Sequence, residues 1–396
     1  MNLLDAMSQA SAAVEGAADQ LASTLAGGIV AATLKTPVWD IRLGGKSLAP
    51  VLANRLISMT ITDNRGFEAD QCELVLDDAD GRLDIPPRGA RLTVAIGWKG
   101  KQLVDKGSYI VDEVAHDGTP DRLTIVARAT DLRAGISTKK ERSWHRTTLG
   151  KLVEHIAKEN GLQPAIPAWL AKRPVEHIDQ TSESDANLLT RLAEQHDAIC
   201  TVKSGRLIFC KTGDAETVTG KPFPTVTITR ASGDRHHWSA ADRNAYTAVK
   251  AYWHNLDSAQ KGEVLVDANT KFERKATVSK RGRVSKRKKL TATQQKASEP
   301  STANVKVLRH IYASEGTALQ AAKAAWEKIQ RGVAEFSIVL AEGRPELFPE
   351  LPARVQGFKP LIDACGWTVA KVTHTLGDDG YITSLDLEMK LEDLQG

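Results

Sequence analysis

Tyr109-Ile110-Val111-Asp112-Glu113-Val114-Ala115-His116 has a counterpart more than half the chain downstream, Trp367-Thr368-Val369-Ala370-Lys371-Val372-Thr373-His374. Both stretches follow the pattern aromatic-x-Val-x-x-Val-x-His. Recurrence at this separation points to two copies of one structural unit. It favours a built object over a single-site enzyme.

The likeness extends both ways. Downstream of each His lies a turn, Asp117-Gly118-Thr119-Pro120-Asp121 and Leu376-Gly377-Asp378-Asp379-Gly380. Gly supplies positive φ, Pro fixes φ, and Asp bonds its own backbone, so both predict hairpin loops. Strict alternation follows: Leu123, Ile125 and Ala127 in one copy, Tyr381, Thr383, Leu385, Leu387 and Met389 in the other. Period two marks a strand with one buried face. Upstream, Glu73-Leu74-Val75-Leu76, Gly81-Arg82, Pro87 and Ala90-Arg91-Leu92 match Ser337-Ile338-Val339-Leu340, Gly343-Arg344, Pro349 and Ala353-Arg354-Val355. Gly-rich hairpins resemble one another by chance, but four landmarks in one order favour duplication.

The rest of the chain frames these copies. Residues 37–133 read as β-rich, with strands expected at 38–43, 56–63, 72–77, 91–97, 109–114 and 123–129. Short strands punctuated by Gly, Pro and Asp suggest a barrel or sandwich. Near 143 the character changes. Thr147 or Thr148 can cap a helix burying Leu149, Leu152, Val153, Ile156 and Ala157, ended by Gly161. A second helix starts at Ser182 or Ser184 and buries Leu188, Leu189, Leu192 and Ala193. A hairpin at 199–202 and 207–210 completes a small α/β module. Strands resume at 225–229, 245–253 and 305–311. Ser314 then caps a helix with Ala318, Ala322, Ala325, Trp326 and Ile329 on one face. A second barrel is expected to draw its strands from 222–254 and 303–394.

A chain of 396 residues, 41% hydrophobic and 26% charged, has enough core for two to four domains without staples. Cys72, Cys200, Cys210 and Cys365 form no CxxC pair and are expected to be reduced core thiols, Cys200 and Cys210 flanking one hairpin. The first 34 residues are Ala-rich and hold no Lys or Arg, so they lack the basic start of a signal peptide. Leu3, Leu4, Met7, Ala10 and Val14 fall on one side of an expected N-terminal helix. Two roles are open for it, a partner-docking arm and a frayed terminus. No stretch is apolar enough to span a bilayer, so a place in the cytoplasm, or in something assembled there, is expected. The net charge of +4 is uneven. Residues 271–289 hold ten basic side chains and one acid, Glu273, leaving the remainder at −5.

Catalytic signals are weak. Asp77-Asp78-Ala79-Asp80-Gly81 lacks the ligands a calcium loop needs at its ends, where Leu76 and Pro87 stand. The pair His236-His237 has no third metal ligand at a suitable spacing. There is no GxSxG, no P-loop and no GxGxxG after a strand, and no acidic pair stands out. No catalytic residue, cofactor or metal is expected. The basic segment, with Arg274, Lys275, Lys280, Arg281, Arg283, Lys286, Arg287, Lys288 and Lys289, is expected as a solvated loop. Contact with a partner protein or with nucleic acid is the alternative. Its one aromatic, Phe272, makes base stacking a poor fit.

Ile61-Thr62-Asp63-Asn64 with Gly66, Glu68 and Asp70, then Leu76-Asp77-Asp78 with Asp80-Gly81, and Gly107-Ser108-Tyr109-Ile110-Val111-Asp112-Glu113-Val114 together resemble the late control gene D family of contractile-tailed phages. Glu183-Ser184-Asp185 with Leu188-Leu189-Thr190-Arg191-Leu192-Ala193-Glu194 resembles a segment shared with type VI secretion spike proteins, Leu188 standing where Phe is frequent there. The likeness covers about 37–394. It implies a mainly β chain with α/β parts: an N-terminal extension (1–36), a first tube-type β-barrel (37–137), an α/β module (138–215) and a second tube-type barrel (216–396) with a basic insertion at about 258–300. It further implies a baseplate hub in the virion tail, assembled in the host cytoplasm. Such a hub is a homotrimer whose six barrels join a six-fold tail tube to a three-fold spike, with other baseplate proteins as neighbours. Two copies per chain are what a trimer needs to meet a hexamer. The rival readings are a tail-bound peptidoglycan hydrolase and a nucleic-acid-binding protein acting through 271–289. Sequence-specific base readout has no support in these residues.

Overall fold

The computed structural model describes residues 35–129, 135–203, 205–240, 246–255, 259–278, 284–294, 304–332, 334–378 and 380–390. The stretch 1–34, expected to be helical, lies outside them. The described residues are mainly strand, with a minority of helix.

Alternation builds the first part. Its strands are β1 (Pro37–Leu43), β2 (Lys46–Ser47), β3 (Leu56–Asp63), β4 (Gln71–Asp77), β5 (Arg91–Trp98), β6 (Val104–Asp117) and β7 (Arg122–Ala129). Every second residue points into one core: Met59 and Ile61, Cys72, Leu74 and Leu76, Val94 and Ile96, Leu123, Ile125 and Ala127. The α/β module follows with β8 (Lys139–Thr148), α1 (Leu149–Glu159), β9 (Gln163–Ala165), β10 (Pro174–Ser184), α2 (Asp185–Gln195), β11 (Ala198–Lys203) and β12 (Arg206–Lys211). Thr148 Oγ1 accepts from Lys151 N, and Ser184 Oγ accepts from Asn187 N. Each cap satisfies an N–H that the first turn of a helix leaves open.

Next come β13 (Val226–Thr229) and β14 (Gly233–Ala240), then β15 (Ala248–Asn255), β16 (Gln260–Asp267), β17 (Thr270–Val278), β18 (Val284–Gln294), β19 (Val305–Tyr312) and α3 (Glu315–Arg331). The sequence assigns 245–253 and 305–311 to a second barrel. In the structure β15 pairs instead with β16 and β19, in a separate sheet that shares a core with α3. The excursion from the second β unit therefore runs from β15 through α3, well beyond 258–300. Periodicity identifies a strand but not its sheet, and β15 meets β19 only across a long crossover. The basic segment also differs from the expected loop. Its described residues form the β17–β18 hairpin, based on Phe272 and Leu290, which pack against the same core.

The chain ends with β20 (Ala334–Leu340), β21 (Pro352–Gln356), β22 (Gly366–Gly377) and β23 (Gly380–Met389). Two sets of six strands now have the same order. One runs β3-β4-β7-β6-β5-β1, the other β14-β20-β23-β22-β21-β13. Register agrees too: Leu74 faces Ile125 as Ile338 faces Leu385. Both sets carry bulges at matching places, between Val111 and Glu113 and between Val369 and Lys371, and again between Leu56 and Ser58 and between Gly233 and Arg235. The first pair accounts for the sequence pattern. Two residues separate the two Val because a bulge takes up the extra one, returning both Val to one face.

The sets are not identical. β1 runs antiparallel to β5, whereas β13 runs parallel to β21. The Ala-Arg landmark is out of step, since Leu92 and Ala353 hold the matching places opposite Tyr109 and Trp367. The sets are joined directly: β22 pairs antiparallel with β3 in one continuous sheet.

Candidate assembly interface

The β22–β3 junction is where one strand set meets the other. β22 pairs near its start with β21, and Val372–Gly377 then pair with Ser58–Asp63 of β3. Alternate facing positions are small and neutral, Thr373 opposite Thr62, Thr375 opposite Thr60 and Gly377 opposite Ser58, while His374 faces Ile61, Leu376 faces Met59 and Val372 faces Asp63.

Charged side chains clamp the flank. Arg65, just past β3, lies between two carboxylates, 2.6 Å from Glu350 and 2.5 Å from Glu388. Burial opposes its charge, but Glu350 and then Glu388 raise its pKa above the ordinary value. Glu350 is itself largely buried, which pushes its carboxyl up while Arg65 pulls it down. It also accepts from Gly213 N at 2.8 Å, tying in the segment that leaves the α/β module. Its backbone is left-handed, φ +76, where the first strand set has Gly89 at φ +85. The equivalence follows from hydrogen bonding, Glu350 N to Val369 O and Gly89 N to Val111 O. A side chain in that conformation costs about 1–2 kcal/mol. Glu350 keeps it while holding three parts of the chain together.

A second pair lies deeper. Lys106 Nζ sits 3.2 Å from Asp63 and donates to Leu347 O at 3.1 Å. Burial lowers the Lys106 pKa, opposed by Asp63. Trp98 Nε1 donates to Gly343 O at 2.9 Å, and its ring lies 5.2 Å from that of Tyr381.

The residues singled out by the repeat fall into this frame. Tyr109, Val111, Trp367, Val369 and Val372 are buried, and Val114 is half-buried. His116 and His374 hold matching registers, opposite Leu123 and Thr383, yet they behave differently. His116 is at the surface, 3.3 Å from Asp78. His374 is fully buried, its Nδ1 within 3.0 Å of the Thr383 and Tyr381 hydroxyls. Burial, then the Lys106 charge, push its pKa down to about 2, so it is neutral.

The remaining candidates lie elsewhere. Arg274 and Lys275 are on β17, and Lys286, Arg287, Lys288 and Lys289 on β18; Lys280, Arg281 and Arg283 lie outside the described residues. In the acidic turn, Asp80 binds Arg55 and Asp78 accepts from Leu83 N. The four cysteines are free, and burial pushes the Cys72 thiol up to about 12. Among the described residues no helix is long and apolar enough to cross a membrane. Sequence reading missed Arg65, Lys106, Glu350 and Glu388, isolated charges whose only signal is a register that the fold reveals.

Two edges match the halves of the junction. Beyond Val111 the outer side of β6 has no partner strand among the described residues, and neither has the outer side of β14. These strands are the counterparts of β22 and β3.

Comparison with known proteins agrees with this architecture. The probable baseplate hub proteins of Escherichia phages 186 and P2 are each 46% identical, over 377 and 369 residues. Those matches cover 93% and 91% of this chain and 96% and 95% of theirs. The tail protein from Neisseria meningitidis MC58 shares the fold, with a TM-score of 0.59 at 14% identity over 89% of this chain and 96% of that one. The family described as phage tail baseplate hub (GPD) matches residues 71–380, and the chain belongs to that family.

Proposed function

We propose that three copies of this baseplate hub protein close into a ring of six β units, joining a six-fold tail tube to a three-fold spike. The observation that carries the reading is the β22–β3 junction. Because both strand sets share one order, each chain keeps, among the described residues, one unpaired copy of each half, the distal part of β6 and the outer side of β14. Laying β14 of one copy along β6 of the next repeats the junction. Val114 then faces Ala240, Ala115 faces Ser239, His116 faces Trp238 and Asp117 faces His237. Head-to-tail contacts form a ring when the rotation closes, and closure hides the strand edges. Each strand set is a tube-type barrel in this reading. The first lies within 37–137, and the second is drawn from 216–396 with the β15–α3 part set aside. The protein works as a structural joint, not a catalyst, against the spike, the tube and other baseplate proteins. The basic hairpin, with a charge opposite to that of the remaining chain, serves as a contact for one of these neighbours.

Sedimentation velocity and negative-stain imaging of the purified full chain test the ring. A trimer with a six-lobed face is expected. A stable monomer at micromolar concentration refutes it.

A further inference from the structure

The internal junction and its proposed counterpart differ in chemistry at one register. Within the chain Thr375 faces Thr60, and Gly377 faces Ser58. On the unpaired edges the place of Thr375 is taken by Asp117, because His116 and His374 hold the same register. The place of Thr60 is taken by His237 and that of Ser58 by Arg235, as their pairings with Ser337 and Val339 show when set against those of Thr60 with Glu73 and Ser58 with Val75. The distal part of β6 carries Asp112, Glu113 and Asp117 against one imidazole, His116. β14 carries Arg235, His236 and His237 against one acid, Asp234. Asp117, Arg235 and His237 are all exposed.

We propose that the contact between copies is keyed by charge. The acidic β6 edge accepts the basic β14 edge of a second copy, with the Asp117 carboxylate accepting from the His237 imidazole. The proposal rests on the ring reading. An open strand edge pairs with any other edge, including its own kind. Two β14 edges, or two β6 edges, would give a two-fold dimer and stop ring growth. In a β14–β14 pair with its two-fold axis at His236, Arg235 faces His237 of the other copy, donor against donor, and in a β6–β6 pair with its axis at Ala115, Glu113 faces Asp117; like charges across a ladder are unfavourable. Only the mixed pair brings opposite charges together. The internal junction needs no such key, because one covalent chain holds β22 beside β3 at high effective concentration. Its neutral Thr pairs fit that role.

The test uses the full chain as Asp117→Lys, as His237→Glu, and with both changes. Circular dichroism confirms folding, and sedimentation velocity over a concentration series gives the half-dissociation point of the ring. Each single variant should raise that point about tenfold, the effect of turning one cross-strand attraction into a repulsion. The double variant should return close to wild type. Single variants that assemble like wild type, or a double variant no better than the singles, overturn the key and leave the ring standing. A monomeric wild type removes the ring and the key together.

Discussion

His374 gives the junction a pH dependence that can be calculated. The folded chain holds this side chain neutral, with its pKa pushed down to about 2 from the ordinary 6.5 by burial and then by Lys106. As pH falls through 6.5 the unfolded chain takes up a proton at this position and the folded chain does not. The contribution is therefore fully present above 6.5 and lost on acidification, by about 1.4 kcal/mol for each pH unit below that point. Between about pH 7.5 and about pH 5 the loss amounts to about 2 kcal/mol. His374→Asn places a non-titrating polar group near the Thr383 and Tyr381 hydroxyls. It should be less stable than wild type at about pH 7.5, and the gap should close by about 2 kcal/mol at about pH 5. Urea unfolding followed by tryptophan fluorescence measures both chains, and Trp98 and Trp367 are both buried. Carboxylates titrating elsewhere cancel in the comparison. Parallel pH profiles for the two chains would sink the argument.

Two further outcomes concern the clamp beside that junction. Arg65→Ala should cost about 3–5 kcal/mol in the same urea assay, because it strands the buried Glu350 charge, and adding Glu350→Gln should recover part of the loss. Glu350→Gly and Glu350→Ala both lose the Arg65 contact, but Gly tolerates φ +76; the Gly variant should be about 1 kcal/mol the more stable, and equal midpoints would remove the strain assigned to this position.

What the sequence revealed was what local chemistry dictates. Alternation located β3, β4 and β7, and hydroxyl residues narrowed the starts of α1 and α2 to two candidates each, of which the structure uses Thr148 and Ser184. The family was legible because its motifs lie on such local elements: β3, the end of β4, β6, the capped start of α2 and the turns beside them. Long-range partnership was not. Residues 248–255 alternate like a barrel strand, and only pairing with β19 shows the sheet to which they belong. The Phe272 and Leu290 anchors of the basic hairpin were hidden by the Lys and Arg between them. Arg65, Glu350 and Glu388 are far apart in sequence, and no spacing rule brings three such residues to one point. The step between the Val residues of the repeat was visible, but its cause, a bulge, needed the opposite strand.

β22 serves two sets of neighbours at once, β21 and β23 on its own side and β3 across the junction. Among the described residues its counterpart β6 has only its own set to satisfy. Tolerance to mutation is therefore uneven between two copies of one unit. A change at the distal end of β6 can be matched by a change on β14, because a second copy must meet it. A change in Val372–Gly377 must suit both partners in the same molecule, and so must a change in Ser58–Asp63 of β3, which pairs with β4 as well as β22; at these two strands one substitution disturbs both halves.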